Sequence, residues 1–218
     1  MSTRYESMQA AIAEATALAG RSLGAVQLLA VSKQAAIEQV QALISLGQHH
    51  FGENRVEHLM EMHAAVPGVQ WHFIGHLQRN KVTDVVRLCS SIDSVDSLRL
   101  AEKIELEAAK QDKVIDVLIQ LNVSGEAQKT GLHPDQLMPL AQALSAMPHI
   151  RLRGLMCMAP RVEDPALTMP IFAACQRYYA QLQTIVDVDT LSMGMSGDFR
   201  QAIACGATMV RIGSALFT

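Results

Sequence analysis

Hydrophobic positions along the chain alternate between short continuous runs and longer stretches in which apolar residues recur at helical spacing. The continuous runs are too apolar for strands that face water on one side, so they indicate strands buried on both faces of a parallel sheet. Two less apolar segments, 49–51 and 90–93, have the length and the flanking residues of further strands. Eight strands are therefore predicted, the other six at 26–31, 71–74, 114–123, 150–156, 191–193 and 208–212.

Stretches with helical periodicity separate these strands, and several have recognisable ends. Asp164 before Pro165 is typical of an N-cap followed by proline in the first turn. Asp198 can open a short helix that Gly206 closes, and Gly47 closes an earlier helix in the same way. The predicted helices cover residues 2–19, 35–46, 54–65, 78–88, 97–111, 134–147, 165–186 and 198–205.

Alternation of strands and helices favours one parallel sheet with the helices outside it. Eight such units predict an α/β fold, a single (β/α)8 TIM barrel with an extra N-terminal helix. A doubly wound open sheet is the alternative. The barrel typically needs about 250 residues, so a chain of 218 residues predicts short loops. Because no linker, repeat or low-complexity tract divides the sequence, one domain over residues 1–218 is expected.

Composition and charge exclude several classes of protein. Half of the residues are hydrophobic and the net charge is −3, so the chain can bury a sizeable core and offers no basic surface to nucleic acid or anionic lipid. No stretch reaches the roughly twenty apolar residues of a membrane span, and the N-terminal segment lacks the order of a signal peptide. Cys89, Cys157, Cys175 and Cys205 are widely spaced, which argues against a zinc knuckle or a disulfide framework. We therefore expect a cytoplasmic protein that binds neither nucleic acid nor membrane.

Candidate chemistry gathers where the strands of such a barrel end at their carboxyl edge. The first predicted strand ends in Ala-Val-Ser-Lys, which brings Lys33 to that edge. A lysine that leaves an apolar run is expected to be partly desolvated, which frees its neutral amine to attack a carbonyl as a Schiff base. A lysine that merely extends to solvent from a strand end is the alternative, and for an isolated lysine it is the commoner case.

Two loops that carry glycine and serine follow the last two predicted strands. The first runs from Ser192 to Ser196, and the second continues from Arg211 through Gly213 to Ser214. A short helix that begins just after the first loop would point free amide groups outward, and small residues let a phosphate approach them. Ordinary tight turns have the same composition, but two such loops on adjacent late strands favour a phosphate site.

Other polar residues have two interpretations each. Arg211 lies inside a predicted strand, where it either faces a ligand, such as a heteroaromatic nitrogen that it keeps unprotonated, or forms a salt bridge with a carboxylate. His72 is a candidate general base, but a lone histidine in a strand is more often a hydrogen-bonded core residue. Asn54 and Asn80 are able either to bind a ligand hydroxyl or to cap a helix. The eight histidines show no metal-binding spacing, so no metal site is predicted.

Six motifs together resemble the YggS/PROSC family of pyridoxal phosphate homeostasis proteins, which is related in fold to the N-terminal barrel of bacterial alanine racemase. The match runs in order from Leu28 to Phe217, nearly the whole chain. The motifs are Ala-Val-Ser-Lys at 30–33, Phe-Gly-Glu-Asn at 51–54, Trp-His-Phe-Ile-Gly-His-Leu-Gln-x-Asn-Lys at 71–81, Arg-Gly-Leu-Met at 153–156, Leu-Ser-Met-Gly-Met-Ser at 191–196 and Val-Arg-Ile-Gly at 210–213.

The resemblance implies a cofactor and the residues that hold it. Lys33 would carry pyridoxal 5′-phosphate as an internal aldimine, and Arg211 would face the pyridine nitrogen. The other residues implied to lie at the cofactor, most of them around its phosphate, are Asn54, Ser192, Ser196, Gly213 and Ser214.

Two features depart from the family's pattern. Residue 79 is Arg where the family commonly has a small residue, which would alter that loop without touching Lys33. The chain also ends at Thr218, where related proteins continue with glycine and a short basic, aromatic tail. We expect that this tail is either absent or not included in the sequence.

The resemblance implies a carrier of the cofactor without evident turnover. Racemisation needs an acid–base group on each face of the substrate α-carbon, whereas Tyr5, Tyr178 and Tyr179 all lie in predicted helices. The first hypothesis is therefore a monomer that holds pyridoxal phosphate reversibly and influences its supply to pyridoxal-phosphate-dependent apoenzymes and to amino-acid metabolism. A small racemase or decarboxylase is the second hypothesis, and a Schiff-base aldolase that binds a sugar phosphate without a cofactor is the third.

Overall fold

Eight parallel strands close into a barrel in the order β1 to β8 in the computed structural model, which describes residues 1–123, 130–160 and 162–218. Pairing between β8 and β1 closes the sheet. The predicted TIM barrel is therefore confirmed, and the open doubly wound sheet is excluded. The strands are β1 (Gln27–Val31), β2 (His50–Glu53), β3 (Gln70–Phe73), β4 (Ser91–Val95), β5 (Ile115–Leu121), β6 (Ile150–Cys157), β7 (Thr190–Ser192) and β8 (Met209–Ile212).

Helices connect successive strands, and the predicted extra helix precedes the first one. This N-terminal helix packs against the last two helices of the chain. Short 3-10 turns precede the fourth, sixth and seventh helices, at Arg79–Lys81, Pro134–Gln136 and Pro165–Thr168. The helices are α1 (Ser2–Leu18), α2 (Ile37–Ser45), α3 (Val56–Ala65), α4 (Val82–Leu88), α5 (Leu98–Lys110), α6 (Leu137–Ser145), α7 (Met169–Leu182), α8 (Phe199–Ala204) and α9 (Ser214–Phe217).

Alternate residues of the strands point to opposite sides of the barrel wall. One set, which includes Phe51 and Trp71, packs in the main hydrophobic core between strands and helices. The other set faces the barrel interior and includes the buried polar residues His72, Asp93 and Arg211. Buried polar groups need hydrogen-bond partners. His72 and Asp93 are partners of each other, and Arg211 has its partners on β6 and β7.

All four predicted helix ends are confirmed, although one of the two aspartates makes no side-chain hydrogen bond to its helix. Asp164 accepts a hydrogen bond from the amide of Ala166 at 2.9 Å, as an N-cap does. Gly47 and Gly206 follow helices with φ values of +90° and +96°, as predicted for residues that close a helix. Asp198 directly precedes α8, but its carboxylate accepts from the amide of Met195 at 2.6 Å and not from the helix.

Two expectations drawn from composition concern membrane-spanning helices and disulfide bonds. Within the described ranges, no helix is both long enough and apolar enough to cross a bilayer. All four cysteines are free, with Cys205 half-buried and the other three buried. The chain therefore has no disulfide framework, as the spacing of its cysteines predicts.

Candidate functional site

The carboxyl ends of β7, β8 and β1 bring most of the predicted site residues to one side of the barrel mouth. In the paired strands, Met209 of β8 lies beside Ser192 of β7, and Ile212 of β8 lies beside Ala30 of β1. Because neighbouring strands are about 4.8 Å apart, the loops after β7 and β1 lie on either side of the loop after β8. A single small ligand at this mouth is therefore able to contact all three loops.

Lys33 lies in a turn two residues beyond the end of β1. The preceding Ser32 is fully buried; its amide donates to the carbonyl of Gly52 at 3.1 Å, and its Oγ donates to Glu53 Oε1 at 2.5 Å. Lys33 itself is exposed, because it follows the last backbone pairing of its strand. The expected partial desolvation of this lysine is therefore wrong for this structure.

Glu53, to which the sequence analysis assigned no role, connects the ends of β1 and β2. Its side chain is fully buried, and Oε2 lies 3.0 Å from His58 Nδ1, although the two atoms are not aligned for a hydrogen bond. Since Ser32 and Glu53 directly precede Lys33 and Asn54, their hydrogen bond fixes the relative position of two site loops. The available signal was the Phe-Gly-Glu-Asn motif, in which a carboxylate ends an apolar run.

Asn54 lies immediately after β2 and is exposed at the mouth. A Cβ atom added to Gly75, in the loop after β3, would lie 2.3 Å from the backbone oxygen of Asn54, so this close passage of the two loops requires glycine. The N-cap position of α3 is Arg55, so Asn54 does not cap that helix. Asn80, the other asparagine considered as a ligand group, lies in an exposed 3-10 turn.

The loops after β7 and β8 meet through two serine hydroxyls. Ser214 Oγ donates to Ser196 Oγ at 3.3 Å. Gly213 packs against the end of β1, since a Cβ atom there would lie 3.2 Å from the carbonyl oxygen of Val31. Around Gly197 the same test finds open space within 4 Å. Two hydroxyls beside small residues form a compact set of donors, and such donors suit a phosphate group, whose oxygens are strong hydrogen-bond acceptors.

The first turn of α8 contributes less to this donor set than the sequence predicts. Asp198 is 8% exposed and already occupies the amide of Met195 with its carboxylate. Burial raises the pKa of Asp198, while that hydrogen bond and the charge of Arg211 act in the opposite direction. The amide of Phe199, the first residue of α8, donates to the carbonyl of Met195 at 2.9 Å, so it is not free to bind a phosphate.

Arg211 lies in the barrel interior with only 3% of its surface exposed. One guanidinium nitrogen donates to Ser192 Oγ and another to the carbonyl of Cys157, both at 2.8 Å. Among the described residues no carboxylate lies within 4.0 Å of this guanidinium, so the salt bridge considered as an alternative is not formed there. Burial lowers the pKa of Arg211. A buried cation without a close anion is costly to the fold and is typical of functional sites.

Other candidates for acid–base chemistry lie away from this mouth. His72 lines a cavity at the amino-terminal end of the barrel, not the carboxyl edge where a general base was considered. Tyr5 donates to Gln48 Oε1 at 3.3 Å, and Tyr179 donates to the carbonyl of Val188 at 3.1 Å. Burial also raises the pKa of Tyr179 to about 12. None of these three side chains supplies a second acid–base group beside Lys33.

A comparison of sequences relates the chain to known proteins. Residues 7–218 match the family model described as the alanine racemase N-terminal domain. The pyridoxal phosphate homeostasis protein of Vibrio cholerae is 38% identical over 220 residues, an alignment that covers 97% of this chain and 93% of that protein.

Two solved structures share the architecture over nearly their whole length. A protein of unknown function from Bifidobacterium adolescentis is 33% identical with a TM-score of 0.90, covering 99% of this chain and 93% of that one. PipY of Synechococcus elongatus, solved with pyridoxal phosphate bound, is 35% identical with a TM-score of 0.84, covering 95% of this chain and all of PipY. The barrel is therefore similar to that of a protein known to hold this cofactor.

Proposed function

The chain belongs to the alanine racemase N-terminal domain family and, within it, to the pyridoxal phosphate homeostasis proteins, and on this premise we propose that it binds pyridoxal 5′-phosphate and acts in its intracellular homeostasis. One observation carries the proposal: an exposed amine, a pair of hydroxyls and a buried guanidinium lie on the adjacent strand ends of β1, β7 and β8. These groups match the aldehyde, the phosphate and the ring nitrogen of the cofactor.

Lys33 is the residue proposed to hold the aldehyde. Bound pyridoxal phosphate supplies an electrophilic aldehyde carbon, which condenses with a primary amine with loss of water. Among the described residues Lys33 has no carboxylate within 4.0 Å, so its amine is not committed to an ion pair. The buried contact between Ser32 and Glu53 holds the backbone on which this amine is carried.

The phosphate is proposed to lie between the loops after β7 and β8. Ser196 and Ser214 offer hydroxyl donors, and Gly213 lets the loop backbone approach. The position of Gly213 against Val31 supports this arrangement, because it brings the phosphate loops next to the strand that carries Lys33. Asn54, which is exposed directly after β2, is proposed to lie on the opposite side of the cofactor.

Arg211 is proposed to face the pyridine nitrogen, with Ser192 holding its guanidinium in place. A guanidinium has donors and no acceptor, so beside a pyridine nitrogen it donates to the lone pair and keeps that nitrogen unprotonated. An unprotonated pyridine withdraws electrons less strongly than a protonated one. An arginine beside the pyridine nitrogen therefore favours a protein that holds the cofactor over one that turns over a substrate.

We also propose a monomeric carrier with a single barrel domain, acting in the cytoplasm. A closed barrel leaves no unpaired sheet edge through which copies would associate, and free cysteines are typical of a reducing compartment. Exposure of Lys33 supports reversible holding, since water and an apoenzyme partner both reach this position. The expected consequence is an effect on cofactor supply and on amino-acid metabolism.

Absorbance spectroscopy of the purified chain with added pyridoxal phosphate tests the proposal. We expect a new visible band that borohydride fixes on one peptide, identified by mass as the peptide that contains Lys33. Incubation of the loaded protein with alanine in deuterated water then separates carrier from racemase. Negligible exchange of the α-proton supports the carrier, and exchange at an enzymatic rate would overturn it in favour of a small racemase.

Replacing both Ser196 and Ser214 with alanine should weaken retention of pyridoxal phosphate by tenfold to a hundredfold. Each hydrogen bond to a charged group contributes about 1.5–3 kcal/mol, and each 1.4 kcal/mol corresponds to about tenfold in affinity. The loss is expected below the full sum because the loop amides remain. Equilibrium dialysis measures it, with Ser45→Ala as the matched control, since the Ser45 hydroxyl is exposed on α2 and bonds only its own helix. An unchanged dissociation constant in the double variant would mean that the phosphate binds elsewhere.

A further inference from the structure

A cavity of about 120 Å³ opens at the amino-terminal end of the barrel, opposite the end that carries Lys33. It is polar, half-open and separate from the proposed cofactor site. Buried titratable groups in its wall have no role in holding pyridoxal phosphate. The first residues of six strands line it: Gln27, His50, Gln70, Ser91, Thr190 and Met209.

A chain of hydrogen bonds runs through the wall of this cavity. His50 Nδ1 lies 3.1 Å from His72 Nε2, and His72 Nδ1 lies 3.1 Å from Asp93 Oδ2. Ser91 donates to the other carboxylate oxygen of Asp93. Because the carboxylate of Asp93 accepts, His72 carries its proton on Nδ1 and presents a lone pair at Nε2, towards His50.

The charges around the cavity favour a cation. Asp93 and Asp116 contribute two carboxylates to the lining, which also includes the guanidinium of Arg153, and Arg151 donates to Asp116 from outside the lining at 2.5 Å. The Arg153 guanidinium is already committed, since it donates to Asp116 at 3.2 Å and to Asp189. Among the described residues, the only basic side chain within 4.0 Å of the Asp93 carboxylate is His72. Asp116 is therefore neutralised by its two arginines, whereas among the described residues the carboxylate of Asp93 has no arginine or lysine within 4.0 Å and favours a cation over an anion.

We propose that His50 and His72 bind a late first-row divalent metal ion, of the class of Zn²⁺ or Co²⁺, with Asp93 orienting His72. Imidazole nitrogen is a preferred ligand of these ions, whereas Mg²⁺ and Ca²⁺ prefer oxygen. Two nitrogens each about 2.05 Å from such an ion lie about 3.3 Å apart at the tetrahedral angle. The observed separation of 3.1 Å is that of a hydrogen bond between the two rings, so binding an ion requires the imidazoles to open and turn until both lone pairs meet at the ion.

The hydrogen bond from His72 to Asp93 reproduces the usual surroundings of a metal-binding histidine. Such a histidine almost always donates its other ring N–H to a carboxylate, a carbonyl or water. For the second ligand, the proton on His50 Nδ1 moves to Nε2, so the imidazole stays neutral and its Nδ1 lone pair becomes available.

The site has two protein ligands and an open side. In the part of the chain that the structure describes, no group of three or more metal-ligating side chains is arranged to hold an ion. The remaining positions are taken by water, for which a polar cavity of this volume has room. Sequence spacing gave no hint of the pair because His50 and His72 are 22 residues apart and meet only through the pairing of β2 with β3.

Titration of the tag-free, cofactor-free full chain with CoCl₂ tests the proposal, followed by visible absorbance and by competition with ZnCl₂. We expect one Co²⁺ per chain with ligand-field bands of low coordination number, and displacement by Zn²⁺. His50→Asn and His72→Asn should each weaken binding at least tenfold, and Asp93→Asn by tenfold to a hundredfold, as for the loss of a group that orients a ligand. Zn²⁺ should also raise the Tm of the wild type and not that of His50→Asn.

His133→Asn is the matched control, because the His133 imidazole is 65% exposed and does not line the cavity. It should leave Co²⁺ binding unchanged. Binding that survives His50→Asn, or the absence of saturable binding up to millimolar Co²⁺, would overturn the proposal and leave the two imidazoles as a structural hydrogen bond. If the variants of the buried His72 and Asp93 fail to fold, the half-buried His50 still decides the outcome. Cofactor binding at Lys33 is measured separately, so either proposal is able to fail alone.

Discussion

Lys33→Ala should abolish covalent attachment of pyridoxal phosphate to the chain. The substitution removes the amine proposed to condense with the aldehyde, so borohydride should fix no label on the protein. The fold should be unaffected, because Lys33 is exposed and lies beyond the last pairing of β1. We expect the free energy of unfolding to change by no more than about 0.5 kcal/mol, as is usual for surface positions. Mass spectrometry of the reduced protein and chemical denaturation measure the two quantities.

Two further variants separate the chemistry of Lys33 from its charge. Lys33→Arg keeps the positive charge but carries no primary amine, and arginine is not deprotonated in proteins, so it should also fail to be labelled. Lys110→Ala changes a lysine whose side chain is 57% exposed on α5, and labelling should persist. A label that survives in Lys33→Ala would mean that another amine holds the cofactor, and the assignment of Lys33 would be lost.

Hydrophobic periodicity was sufficient to predict the barrel but not the ends of its polar strands. The segment predicted at 49–51 continues to Glu53, and the segment predicted at 90–93 continues to Val95. In both cases a buried polar residue interrupts the apolar run. The partner of Glu53 is Ser32, just after the neighbouring β1, and the partner of Asp93 is His72 on the neighbouring β3. A hydropathy pattern predicts that such a residue is exposed. The residue is buried because it is hydrogen-bonded, and its partner is too distant in sequence for the pattern to show it.

Helix boundaries show a similar dependence on local geometry. The predicted helices at 78–88, 134–147 and 165–186 each begin with a 3-10 turn, which has nearly the same sequence period as an α-helix and is therefore not distinguished by periodicity. The four-residue helix α9 was not predicted, since it is too short to show a hydrophobic repeat. It nevertheless begins at Ser214, one of the proposed phosphate ligands.

Loop positions of the candidate site were predictable, whereas its internal contacts were not. The sequence brought Lys33, Ser196 and Ser214 to one edge because the loops after the first and last strands of a closed barrel are neighbours. It did not predict that Arg211 is held by Ser192 and the carbonyl of Cys157, since that set spans three strands. It also predicted partial desolvation of Lys33, because a short apolar run does not show where backbone pairing stops.

Gly154→Ala should destabilise the fold more than any surface substitution considered above. Gly154 lies within β6 at a φ of +149°, beside an irregularity in the pairing of β5 with β6. A Cβ atom there would lie 1.8 Å from the carbonyl oxygen of Thr190 on β7, and backbone on this strand cannot move aside without breaking the pairing. We expect a loss of more than about 3 kcal/mol in the free energy of unfolding, or failure to fold.

Gly68→Ala isolates the steric part of this effect. Gly68 also has a positive φ, +84°, but a Cβ atom there meets nothing within 4 Å. It should therefore cost only the backbone strain of a left-handed alanine, about 1–2 kcal/mol. Chemical denaturation of the two variants compares them directly, and equal losses would show that the approach of Thr190 does not constrain Gly154. A larger loss at Gly154 would explain why the Arg-Gly-Leu-Met motif contains glycine, because β6 passes too close to β7 there for any side chain. The strand β7 in turn pairs with β8, which carries Arg211.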